Sequence, residues 1–107
     1  MTVNGSTHIP GFIKKHREFR GGTTYSTVYP IAELGSSIVE NCKKMIEEIR
    51  YEGLWGIELI KNGSGYWFVE LNLRNDATSY SLAVAGVNLP VAYYCAMAGG
   101  NINQEVK

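Results

Sequence analysis

Net charge is the first thing this chain lacks: ten Lys and Arg balance ten Asp and Glu over 107 residues. Without a basic stripe nothing is set up to track a phosphate backbone, so nucleic acid is not an expected partner. Long hydrophobic runs are missing too. The longest apolar stretch, around Val87 to Ala98, is interrupted by Asn88 and Pro90 and falls short of the roughly 20 residues that span a bilayer. No membrane partner is expected, and no basic segment leads into a short apolar run at the start, as a secretory signal would. Cysteine is scarce: Cys42 and Cys95 stand alone without metal-ligand spacing, each inside an apolar helical pattern. Both are expected to be buried free thiols of a soluble, cytoplasmic protein. His8 and His16 have no partner at metal or triad spacing and read as surface residues. No nucleophile with a base, no Cys-His pair and no phosphate loop is visible, which argues against a self-contained small enzyme.

What remains is ordinary globular material, 45% hydrophobic and 19% charged, in a length suited to one small domain. Met1 to Pro10 have no periodicity and are expected to be a flexible segment; residues 101–107 read as a polar tail. Between them, residues 11–100 form the folded unit. Phe12 to Arg17 and Thr23 to Tyr29, around Gly21-Gly22, predict two strands joined by a turn. Ser37 and Glu40 have capping-box spacing. Ile38, Cys42, Met45, Ile46 and Ile49 then form a helical stripe, predicting a helix over 37–51 ended by Gly53. Leu54 to Lys61 and Tyr66 to Leu73 predict a hairpin around Asn62-Gly63-Ser64-Gly65. Asn88 as N-cap, Pro90 in the first turn and Gly99-Gly100 as terminator frame a last helix. The order predicts an α+β fold, an antiparallel β-sheet with helices packed on one face.

The second hairpin carries the chemistry. Side chains alternate faces along a strand, so Trp67, Val69, Leu71 and Leu73 are expected to face the core. Phe68, Glu70, Asn72 and Arg74 then share the other face. Trp55 and Trp67 read as core residues. Glu58, on the preceding strand, would lie opposite Glu70 if a loop of three or five residues centred on Ser64 joined the strands. A two-residue Asn62-Gly63 turn would put the carboxylates on opposite sides. Facing carboxylates repel, and a divalent cation between them would reverse the sign. Glu58, Glu70 and Asn72 are the oxygen set that magnesium uses alongside substrate phosphates. The competing reading is the wetted face of an antiparallel sheet.

Gly56-Ile57-Glu58-Leu59-Ile60, followed by Phe68-Val69-Glu70-Leu71-Asn72-Leu73-Arg74, resembles the closing segment of the ATP-grasp superfamily, with its Glu and downstream E-x-N-x-R. Ala85-Gly86-Val87-Asn88-Leu89-Pro90 is similar to the element that follows this motif in carbamoyl-phosphate synthase and biotin carboxylase relatives. The likeness covers about residues 11–100. It implies the C-terminal part of an ATP-grasp domain that binds ATP with Mg2+, or with Mn2+ in its place. Glu58, Glu70 and Asn72 would be the metal ligands, Arg74 would stabilise the transferring phosphoryl group, and Ile60 would pack on adenine. Asn75-Asp76 would lie near the substrate.

The implied reaction activates a small-molecule carboxylate as an acyl phosphate and passes it to an amine or similar nucleophile. The implied partner is the N-terminal part of the same domain, with its Gly-rich loop and phosphate-holding lysines, so these residues alone are expected to be inactive. A homodimer that buries the face left by that part is a further expectation. Lys14-Lys15-His16-Arg17 reads as a solvated strand end. The alternative function is an α+β interaction module that needs neither metal nor nucleotide.

Overall fold

The computed structural model describes residues 1–101 and 104–107. All strand pairing is antiparallel and the fold is α+β, as expected, but the strands divide among three separate two-stranded sheets. The first is β1 (Thr2–Val3) with β2 (Ser6–Thr7), the second β3 (Gly11–Phe19) with β4 (Gly22–Pro30), and the third β5 (Gly56–Asn62) with β6 (Gly65–Asn72). Helix α1 (Ser36–Ile49) connects the second hairpin to the third, and α2 (Thr78–Val84) and α3 (Leu89–Met97) follow. Among the described residues no single helix is long and apolar enough to cross a membrane.

The β3–β4 turn is Arg20-Gly21, with φ of 51° and 78°. Two positive φ values in succession give the primed type of turn, whose twist matches that of the flanking strands. Helix α1 starts at Ser36 behind Gly35, with no side-chain cap. The expected Ser37–Glu40 box does not form because both residues already lie inside the helix. The helix stops with Arg50 in the left-handed region, ahead of the expected Gly53. Its inward face is as predicted at Cys42 and Ile46, whereas Ile49 is 49% exposed. Helix α2 was not expected from its Thr78-Ser79-Tyr80-Ser81 start, which is poor in helix formers. It forms because the Asp76 carboxylate accepts from the Thr78 amide at 2.9 Å and from the Thr78 hydroxyl, satisfying donors at the exposed end. Asn88 caps α3 as expected, accepting from the Val91 amide at 3.2 Å.

The segment expected to be flexible is packed. Met1, Thr2 and Val3 are buried, the Thr2 and Gly53 amides and carbonyls exchange hydrogen bonds of 2.9 Å, and Trp55 donates to Thr2 Oγ1 at 3.0 Å. Met1 joins Leu82, Val87, Leu89, Ala92 and Val106 in the core, with Ile13, Val28 and Leu54 against it. The tail expected to be polar therefore supplies a core residue, held by the Val106 amide on the Pro10 carbonyl at 2.8 Å; positions 102 and 103 of that tail lie outside the described residues. Cys42 is buried, but Cys95 is exposed, on the side of α3 turned away from the core. His8, expected on the surface, is half-buried, with Nε2 2.6 Å from the Gln104 carbonyl oxygen; His16 is exposed.

Burial at the first residue has a consequence for pH. The Met1 α-amino group donates to the His8 carbonyl at 2.9 Å, and desolvation lowers its pKa from 8.0 to about 5. Between those values the unfolded chain binds more protons than the folded one, so stability rises with pH across this interval. Urea melts of the chain starting at Met1 should show the midpoint falling as pH drops from about 8 to about 5 and levelling below, and N-terminal acetylation should flatten that part of the profile.

Candidate functional site

The site lies between the β3–β4 and β5–β6 hairpins, in a cleft of about 570 Å³. Its position depends on register. Asn62 pairs with Gly65, so the hairpin turns through Gly63-Ser64, neither of the loops considered from sequence. That register alone would set Glu58 against Val69. A β-bulge intervenes: Leu59 pairs with Phe68 and Glu58 with Glu70, leaving Val69 as the extra residue. Bulges re-aim side chains, and this one puts the two carboxylates directly across from each other.

The bulge also breaks the predicted alternation. Cross-strand partners share a face, so Trp67 follows Ile60 and hence the Glu58 side, while Phe68 follows Leu59 to the other side. Val69 lines the cleft beside Glu70 instead of facing the core. The expected apolar core face is largely open: Trp67 is 63% exposed, Val69 43% and Leu73 45%. Trp55 is half-buried.

The sequence-predicted ligands come together. Glu58, Glu70, Asn72 and Arg74 all line the cleft. Asn72 Nδ2 donates to Glu70 Oε1 at 3.1 Å, which turns its carbonyl oxygen away from that carboxylate. Arg74 donates to the Asn75 carbonyl at 3.3 Å. Asp76 lines the cleft as well and lies against Gly56; a Cβ there would meet Asp76 Oδ2 at 2.5 Å. Gly56 pairs with Asn72, so the missing side chain leaves room for Asp76 beside the carboxylate pair. Ile60 is not brought in. It is 56% exposed, nearer the hairpin tip and outside the cleft lining.

Sequence reasoning missed the opposite wall. Lys15 on β3 reaches across to Glu58, Nζ to Oε2 2.8 Å, both side chains about a third exposed. Glu18 lines the same wall. Lys15 pairs with Ser26, and His16 is then passed over in the ladder so that Arg17 pairs with Tyr25. This bulge puts Arg17 on the face opposite Lys15, and a further register shift between Arg17 and Glu18, which pairs with Thr23, leaves Glu18 on the cleft side. The alternation of Ile13 with Lys15 was readable beforehand; the bulge was not, because no glycine or other residue type marks it.

The cleft holds four carboxylates (Glu18, Glu58, Glu70, Asp76) against two cations (Lys15, Arg74), a balance that favours a bound cation. No group of three or more His, Cys, Asp or Glu able to enclose an ion occurs among the described residues. This donor set is not an all-protein cage. Two facing carboxylates with an adjacent amide do fit magnesium, which keeps waters and takes one or two carboxylates with ligand phosphates. No protein-family model, curated protein or solved structure matches this chain.

Proposed function

We propose that this chain is the C-terminal lobe of an ATP-grasp-type ligase, resembling those of the carbamoyl-phosphate synthase kind. In this reading Glu58, Glu70 and Asn72 hold magnesium, and Arg74 stabilises charge on the phosphoryl group. The observation that carries the reading is the pairing of Glu58 with Glu70 at the Val69 bulge, beside Asn72 and Arg74 in one cleft. Facing carboxylates cost stability in a sheet unless a positive charge lies between them.

When bound, magnesium neutralises the nucleotide phosphates. The residues of the chain do the rest. Glu58 and Glu70 orient the ion from two neighbouring strands, and Asn72 adds a neutral oxygen without adding to the charge the fold must tolerate. Arg74 presents a fixed fork of donors to a phosphoryl oxygen. This division fits phosphoryl and acyl-phosphate chemistry, in which positioning and charge neutralisation supply most of the rate. A carboxylate substrate and an amine would meet near Asp76. Ile60 and its cross-strand partner Trp67 lie outside the cleft, so an adenine contact at Ile60 requires a second lobe to close over the hairpin tip. A cytoplasmic setting, where magnesium nucleotide and reduced thiols coexist, belongs to the same proposal.

The test is calorimetry with Mn2+ and Mg2+, with and without ATP. The isolated lobe is expected to bind metal weakly, in the millimolar range typical of two-carboxylate sites, with little gain from nucleotide and no turnover. Robust ATP-dependent ligation by these 107 residues would refute the reading of an incomplete site, and silence toward metal in the complete protein would refute the metal role. A second reading, an interaction module, is favoured by the exposed side chains of Ile60, Trp67 and Phe68. A homodimer burying the face that the N-terminal part would cover belongs to the ligase-lobe reading, and a clean monomer in sedimentation would remove that homodimer.

A further inference from the structure

The geometry points to Lys15 as the resident counter-ion of the carboxylate pair, a cation that the metal must displace and that then turns to the anionic ligand. This inference rests on the metal reading above and adds an exchange step to it.

Lys15 and Glu58 come from different hairpins, and their 2.8 Å contact joins the two walls of the cleft. Glu58 is also the residue placed opposite Glu70, so one member of the carboxylate pair already holds an ammonium group. Glu70 receives only the neutral Asn72 amide, at 3.1 Å. A divalent ion approaching the pair therefore meets a site already carrying one positive charge, and repulsion between the two cations on one carboxylate disfavours holding both. Entry of the ion frees Lys15.

The freed side chain remains in the cleft. It carries three donors and no acceptor; of the carboxylates left to it, Asp76 already receives hydrogen bonds from Thr78, and Glu18, on the same wall of the cleft, competes with the ligand as a singly charged partner. A phosphate oxygen of a ligand bound to the metal is the partner of matching charge. In this exchange Lys15 lowers affinity for a bare metal ion and raises it for the metal together with its polyphosphate, so the site selects the complex over the free ion.

The experiment uses the 107-residue chain at low ionic strength, with free Mn2+ followed by its paramagnetic resonance signal. Wild type, Lys15→Met, Lys15→Gln, Lys15→Arg and Glu58→Gln are compared, each checked for native circular dichroism. Lys15→Met and Lys15→Gln should bind bare Mn2+ about tenfold more tightly than wild type, from loss of a unit charge about 4 Å away. Lys15→Arg should stay close to wild type and Glu58→Gln should lose binding. With inorganic tripolyphosphate added, the order should invert, with wild type now the tighter by several-fold. Equal or weaker Mn2+ binding by both neutral variants overturns the exchange while leaving the carboxylate–metal reading standing. Unchanged order with tripolyphosphate overturns the second half of it. Absence of Mn2+ binding in every variant overturns the exchange, and the metal reading falls with it when the complete protein is silent as well.

Discussion

Ile46→Ala is expected to lower unfolding stability by about 3 kcal/mol, with the loss visible as a shift in the urea midpoint at unchanged slope. Ile46 is the largest side chain with no exposed surface among the described residues. It lies in the middle of α1 and lines a small pocket together with Thr2 and Thr7 of the first hairpin. The lost methyl and methylene groups therefore leave a void as well as a transfer cost. Domains of this size are stable by only about 5–15 kcal/mol, so the substitution removes a large share of the margin. Ile49, one turn later on the same stripe, is 49% exposed; alanine there should cost less than about 1 kcal/mol. Similar losses at the two positions would mean that α1 is not seated as described.

In the ligase proposed above, Arg74→Ala should lower kcat by roughly 10²- to 10³-fold while changing the nucleotide KM little. The expectation follows from position. Arg74 lies at the end of the strand that carries Glu70 and Asn72, in the same cleft, and its one described hydrogen bond goes to a neighbouring backbone carbonyl at 3.3 Å. The guanidinium is therefore held near the carboxylates without being consumed by one of them, and its charge is available to an oxyanion that develops during reaction. Arg74→Lys keeps the charge but loses the planar fork and should recover only part of the rate. Steady-state kinetics on the assembled enzyme distinguishes this from a binding role, which would raise KM at constant kcat.

The hairpins, the α1 stripe and the Asn88 cap were legible because each is a local signal: β-branched and aromatic runs, a 3.6-residue period, a capping residue ahead of Pro90. The pairing of Glu58 with Glu70 was legible as one of two registers, yet it arises by neither loop considered. The turn is the short one, and the Val69 bulge restores the alignment. A bulge of this kind depends on how the strand packs against its surroundings, and Val69 is an ordinary strand former. The same blindness hid Lys15. Within Lys14-Lys15-His16-Arg17 nothing in sequence separates one cation from the next; only the meeting of two hairpins far apart in the chain selects Lys15 as the partner of Glu58. Burial was misjudged at both ends and at Trp67 for a related reason: a hydrophobic pattern states what could be covered, while Met1, Val106 and Trp67 were decided by which elements were close enough to cover them.

The division into three two-stranded sheets means that, among the described residues, neither β5 nor β6 has a strand on its second side. Both keep one row of backbone amides and carbonyls outside the ladder, which is the arrangement most open to addition of a further strand. This places Glu58 and Glu70 on a ribbon that can be widened from either border. A polypeptide that docks along such a border would stiffen the ribbon and fix the separation of Glu58 and Glu70. Assembly with another segment would thus tune the spacing of the carboxylate pair mechanically, without touching either side chain.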